Sequence, residues 1–146
     1  MIDCFDGEFA FLSNFYPSPI SDGNLIFPTV EHMFQAAKTV NIKEYEKIAA
    51  ADTPGQAKRL GKKVVLREDW EEVKDDIMYQ ALWLKFSIPE FREKLLATEK
   101  KELVEGNTWH DNIWGDCSCE RCKYIKGQNR LGNMLMQIRE EIKSSI

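Results

Sequence analysis

The chain has 146 residues, 43% of them hydrophobic and 30% charged, with a formal net charge of −4, the profile of a folded domain rather than a disordered tail. The acidic balance argues against a surface that coats nucleic acid as a whole. No apolar run approaches the ~20 residues that cross a bilayer. The segment from Met1 to Asp6 lacks the basic head and apolar stretch of a secretory signal, so the expectation is one cytoplasmic domain over residues 1–146 without membrane contact.

Residues 18–27 read as a short hairpin turning at Asp22-Gly23. Thr29 then reads as the N-cap of a helix reaching about residue 38. A second helix is predicted over residues 43–51. Thr53-Pro54, a cap followed by a first-turn proline, predicts a third ending near Gly61. The longest helix should span about 68–86, where Trp70, Val73, Ile77, Ala81 and Leu84 recur at spacings of three and four and predict one buried stripe. Pro89 opens a short helix toward residue 97, and residues 102–105 suggest a strand. Residues 106–128 read as a loop, and a last helix over about 129–142 points Leu131, Leu135, Ile138 and Ile142 at the core.

The helix after Thr29 carries the first chemical pattern. Glu31, Gln35 and Lys38 fall within an arc of about 60° beside the apolar stripe of Val30, Met33, Phe34 and Ala37. Such a row can edge a pocket. It can equally be an exposed face whose acid and base match the helix dipole, and spacing alone favours that second reading. The loop from Asn107 to Asp116 holds Trp109, His110, Asp111, Trp114 and Gly115. An indole there either packs on the core or stacks on a flat ligand. Gly127-Gln128-Asn129 enters the last helix, where free N–H groups can meet an anion or Asn129 can serve as a plain cap. Phe11-Leu12-Ser13-Asn14-Phe15 sets polar side chains between aromatics, as a lid or as core. The basic run Lys58-Arg59-Leu60-Gly61-Lys62-Lys63 suits a helix end or a phosphate.

Three of the four cysteines crowd into Cys117-Ser118-Cys119-Glu120-Arg121-Cys122. Three thiolates with Cys4 or His110 as a fourth ligand could hold zinc. Structural zinc sites favour paired knuckles, however, and the second pair is missing. Reduced thiols with no metal are the reading retained.

The motifs Phe11-Leu12-Ser13-Asn14-Phe15, Phe27-Pro28-Thr29-Val30-Glu31-His32 with Gln35 and Lys38, Ala57-Lys58-x-Leu60-Gly61, Lys85-Phe86, Trp114-Gly115 and Gly127-x-Asn129-x-Leu131-Gly132-x-x-Leu135-Met136-x-x-Arg139 follow one another in order. Together they resemble the NADAR (YbiA-like) family along nearly the whole chain. The resemblance implies an α+β fold, predominantly α-helical, in a compact single domain with a small β hairpin. It implies an N-glycosidase acting on ribosides. Family members hydrolyse early riboflavin-pathway intermediates, and others remove ADP-ribose from guanine in DNA. It implies Glu31, Lys38 and Asp111 at the reacting centre, with Ser13, Asn14, Trp114, Gly115 and Asn129 lining the pocket. Phe15, Gln35, Lys58 and Trp109 complete the expected substrate-binding set. The expected partner is a small phosphorylated riboside or an ADP-ribosyl group, with ADP-ribosylated DNA as the larger alternative and a non-catalytic ADP-ribose or NAD sensor as the third. No cofactor is expected. One departure stands out: residues 116–126, which carry the three cysteines, replace a shorter glycine-rich link in many relatives.

Overall fold

The computed structural model describes residues 1–145, which gather into two compact units. One runs from Asn14 to Ile88, and the other combines Met1–Ser13 with the chain from Pro89 onward.

The 14–88 unit opens with an antiparallel pair, β1 (Ile20–Ser21) and β2 (Ile26–Phe27), with Ile20 opposite Phe27. The Asp22 carboxylate accepts the N–H groups of Asn24 and Leu25, both at 2.9 Å, and Gly23 takes φ +90°, which is how the predicted turn closes. Helix α1 (Val30–Ala36) starts where Thr29 Oγ1 accepts the His32 N–H at 3.1 Å. Every residue of α1 is buried. It packs against α2 (Ile42–Ala49), α3 (Pro54–Gly61) and α4 (Trp70–Phe86), which together enclose it. Asn41 and Thr53 cap α2 and α3 through the N–H groups of Glu44 and Gln56. Arg67 grips Asp69 with two nitrogens, at 2.6 and 3.0 Å, and its backbone N–H meets the Lys38 carbonyl at 2.8 Å, tying the end of α1 to the start of α4.

The stripe predicted for α4 is rotated. Trp70 and Ala81 are buried as expected, but Val73 and Ile77 are half-buried and Leu84 is exposed. The buried ridge is Trp70, Met78, Ala81, Leu82, Lys85 and Phe86. Apolar residues occupy two ridges of this helix, and the lysine on the buried one disguised it. Ile77, Trp83 and Leu84 instead face a groove of about 810 Å³, shared with Met33, Ala37 and Arg67.

In the second unit a 3₁₀ turn (Gly7–Leu12) packs against α5 (Pro89–Leu96), and α5 packs on α6 (Arg130–Ser144). Leu131, Leu135, Ile138 and Ile142 of α6 are buried, as the spacing predicts. The strand expected at 102–105 reduces to one parallel bridge between Ile2 and Leu103. Pairing resumes with β3 (Gly106–Asn107), parallel to β4 (Asp116–Cys117), inside the stretch predicted as loop. No helix among the described residues is long and apolar enough to cross a membrane.

Asn129 is not an ordinary cap. It sits at φ 48°, ψ 43°, makes no side-chain cap bond, and instead accepts the Glu105 N–H at 2.9 Å while donating to the Leu103 carbonyl at 2.9 Å. The left-handed conformation, tolerated by asparagine better than by most residues, turns its side chain away from α6 and onto the 103–105 segment. Gly132 follows for the same reason of space, since a Cβ there would lie 2.1 Å from the Leu103 carbonyl oxygen.

Candidate active site

The row of Glu31, Gln35 and Lys38 is not a solvated face. Glu31 is 7% exposed and Gln35 4%, because α2, α3 and α4 close around α1. This overturns the reading that spacing alone favoured. The Gln35 amide donates to Glu31 Oε1 at 2.8 Å, one helical turn along, which gives the buried carboxylate a neutral donor. Gly61 of α3 lies so close that a Cβ would approach Gln35 Oε1 to 2.0 Å, and a side chain there would displace the amide.

Asn14 joins this group. Its carbonyl accepts the Glu31 N–H at 3.1 Å, and its Nδ2 lies 3.5 Å from the Met78 sulfur on α4. Asn14 Oδ1 and Gln35 Oε1 are buried acceptors with no partner among the described residues. Two orphaned acceptors beside a buried acid suit hydroxyl donors of a ligand.

Lys38 stands at the mouth of the row, half-buried, with Nζ 5.9 Å from the ring centroids of both Phe34 and Trp70. Burial depresses its pKa below the usual lysine value, and the charges of Lys58 and Lys62 push the same way against the opposing pull of Glu31. An amine so placed yields its proton more readily than a free lysine. Lys58, half-buried on α3, and exposed Lys62 bring positive charge near it.

His32, the neighbour of Glu31, is spoken for. Its Nδ1 meets Thr29 Oγ1 at 2.8 Å and its Nε2 meets the Ala51 carbonyl at 3.0 Å. A carbonyl only accepts, so Nε2 carries the proton and Nδ1 accepts from the hydroxyl. This histidine holds α1 in place.

Sequence reasoning noted Lys85 only within the Lys85-Phe86 motif and gave it no role. It is fully buried on α4, two turns after Met78 on the same face, with Nζ 5.1 Å from the Phe86 ring and 5.9 Å from Tyr16. Burial lowers its pKa to about 7. Its place within an apolar ridge was the available signal, and lysine's usual exposure hid it.

The remaining expected site residues, Phe15 apart, belong to the second unit. Ser13 ends the 3₁₀ turn through its N–H to the Ala10 carbonyl, at the unit's edge, and Phe15, just inside the 14–88 unit, is exposed. Buried Asn107 organises the loop: Oδ1 accepts the N–H groups of Trp109 and Asp111, and Nδ2 donates to the Asp111 carbonyl at 2.8 Å. Half-buried Asp111 accepts the N–H groups of Ile113 and Trp114 at 3.1 and 2.9 Å through one oxygen. Trp109 is 58% exposed, Trp114 half-buried and Gly115 buried.

The anion site envisaged at the start of α6 does not hold. The N–H groups of Gln128, Asn129, Arg130 and Leu131 go to the carbonyls of Asn112, Gly115, Ile113 and Trp114, at 2.7 to 3.1 Å. The Gly127-x-Asn129 motif therefore clasps the tryptophan loop.

Against known proteins, the NADAR domain model matches residues 4–143, which spans both units. The N-glycosidase YbiA of Escherichia coli K12 is 40% identical over 138 residues, 92% of this chain and 82% of that protein. The chloroplastic riboflavin biosynthesis protein PYRR of Zea mays is 36% identical over 94% of this chain and 24% of its own length. The NMR structure of Escherichia coli YbiA superposes with a TM-score of 0.83 at 38% identity, covering 99% of this chain and 88% of that one.

Proposed function

The chain belongs to the NADAR domain family, and on that premise we propose that it is an N-glycosidase hydrolysing the ribose C1–N bond of a phosphorylated riboside from the riboflavin pathway. The observation that carries this reading is the α1 row: a buried acid held by an amide, and an amine of depressed pKa just past the end of that helix.

Breaking an N-riboside leaves positive charge at C1, while the bonding electron pair departs with the nitrogen and takes up a proton. Water supplies the oxygen that ends on C1. Glu31 suits stabilisation of the cationic carbon or activation of that water, because its charge sits where little solvent competes. Lys38, its pKa lowered by burial, suits attack on C1 of the ring-opened sugar: the base nitrogen leaves with the electron pair of the C1–N bond and a proton, a lysine imine remains, and water hydrolyses it to return the Lys38 amine. Asn14 Oδ1 and Gln35 Oε1 suit the ribose hydroxyls, and Lys58 the phosphate. The family resemblance gives Asp111 a part at the reacting centre. In its own unit the Asp111 carboxylate shapes the tryptophan loop.

A second reading, removal of ADP-ribose from guanine in DNA, draws on Arg59, Lys62 and Lys63 standing exposed along and just beyond α3. Incubation with a riboflavin-pathway phosphoriboside and, separately, with ADP-ribosylated guanine DNA decides between them. Free ribose phosphate from the first alone upholds the proposal. Free ADP-ribose from the second alone replaces it, and tight binding without product from either favours a sensor. The four free thiols fit the reducing cytoplasm in which we place the enzyme.

A further inference from the structure

The loop inserted between Trp114-Gly115 and the start of α6 takes no part in that chemistry, yet it gathers a distinct set of side chains. His110, Cys117, Cys119 and Cys122 bring one ligand atom each to within 4.8 Å of one another. His110 Nδ1 lies 3.2 Å from Cys119 Sγ and 3.6 Å from Cys122 Sγ. Ligands on a tetrahedral zinc, with Zn–S near 2.3 Å and Zn–N near 2.0 Å, stand roughly 3.6–3.8 Å apart, so small rotations of these side chains complete the tetrahedron. Cys4, the other candidate for a fourth ligand, is exposed and lies outside the group.

We propose that His110, Cys117, Cys119 and Cys122 form a Cys₃His structural zinc site that locks the 106–128 loop in place. The missing second cysteine pair, which argued for no metal from spacing alone, is replaced by one histidine brought over by the β3–β4 pairing.

Three features of the loop support the assignment. First, the backbone is already arranged for sulfur. The N–H groups of His110 and Cys119 point at Cys117 Sγ, at 3.3 and 3.5 Å, as the outer hydrogen bonds of a metal thiolate do. Second, His110 holds φ +70°, an uncommon conformation for a side-chain-bearing residue, and so turns its ring onto the cysteines. Third, the loop is ordered by hydrogen bonds and has little apolar core of its own. Its strands are two residues long, and Trp109, Ile113, Tyr124 and Ile125 are exposed instead of packed in a core. A metal clip is the usual substitute for a missing core. Three soft sulfurs and one imidazole in tetrahedral array select zinc over calcium or magnesium. A disulfide would leave one thiol and the histidine unaccounted for. On binding, each of the three thiols releases its proton and the neutral imidazole contributes its lone pair, so one Zn²⁺ enters and up to three H⁺ leave.

The test uses the full chain without a histidine tag, purified in reducing buffer with no added metal. Elemental analysis should find one zinc per chain. Exchange with Co²⁺ should give the absorption of a tetrahedral thiolate site, and His110→Ala should weaken cobalt affinity by more than about tenfold while Cys4→Ser leaves it unchanged. Should Cys119→Ser prove poorly folded, the cobalt titration of the unaltered chain still decides. Folded protein that holds no zinc and takes up no cobalt overturns the site. An intact mass showing a disulfide among these cysteines, without metal uptake, overturns it equally. Metal retained in His110→Ala but lost in Cys4→Ser would refute the ligand set.

Discussion

Glu31 illustrates how a single side chain acquires meaning from its surroundings. A carboxylate this deeply enclosed loses most of its hydration, and it is retained with an amide donor at 2.8 Å. If it serves the transition state, Glu31→Gln keeps the shape and removes the charge. Turnover should fall roughly 100-fold or more with the circular dichroism spectrum unchanged. Near-normal turnover would take Glu31 out of the chemistry. For Lys38 the sign of the pKa shift sets the pH profile. The nucleophilic form is the neutral amine, and a depressed pKa makes it available at lower pH than an ordinary lysine allows, so kcat should rise with pH through that lowered value. Borohydride added during turnover should fix a sugar adduct on Lys38, seen as an intact-mass increase that Lys38→Arg abolishes. An unchanged mass while product accumulates speaks against the imine.

At the scale of elements, the approach of α3 to α1 is the feature that keeps the row in order. Gly61→Ala adds a methyl group that would meet Gln35 Oε1 and Cδ, so the buried amide must shift. The substitution gains up to about 1 kcal/mol in helix propensity and loses about 1–3 kcal/mol to overpacking. The net effect should be mild destabilisation, with kcat lowered about tenfold as the Gln35–Glu31 bond is disturbed. Steady-state kinetics beside urea unfolding would register both; wild-type kcat in a folded variant would show that the amide's position is immaterial. Element ends were largely legible beforehand. Thr29 and Thr53 cap their helices as read, since a cap is a local event between a hydroxyl and an N–H three residues on. Asn129 looked like the same signal and was not. Its side chain is drawn to residues 103–105, more than twenty positions away, which no local pattern reports.

For the whole molecule, Lys85 couples stability to pH. Folded, it holds its proton only below about 7, against an ordinary value of 10.5. Between those values the unfolded chain binds the extra proton, so stability rises with pH across that window and the contribution levels off beyond it. Lys85→Met should remove this slope and stabilise the protein at neutral pH, measured as the urea midpoint of both proteins at about pH 7 and about pH 10. A wild-type-minus-variant difference that stays constant between the two conditions would contradict the burial argument. Family membership, a predominantly helical fold, the helix boundaries and the α6 core face were all readable from residue order, because caps, prolines and periodicity act over three or four positions. Which ridge of α4 turns inward, that α1 has no exposed side and that Lys85 is enclosed were settled only when distant segments packed, and the fold of its own loop decided for His110 over Cys4 beside the cysteines. Burial belongs to a neighbourhood, and a neighbourhood exists only in three dimensions.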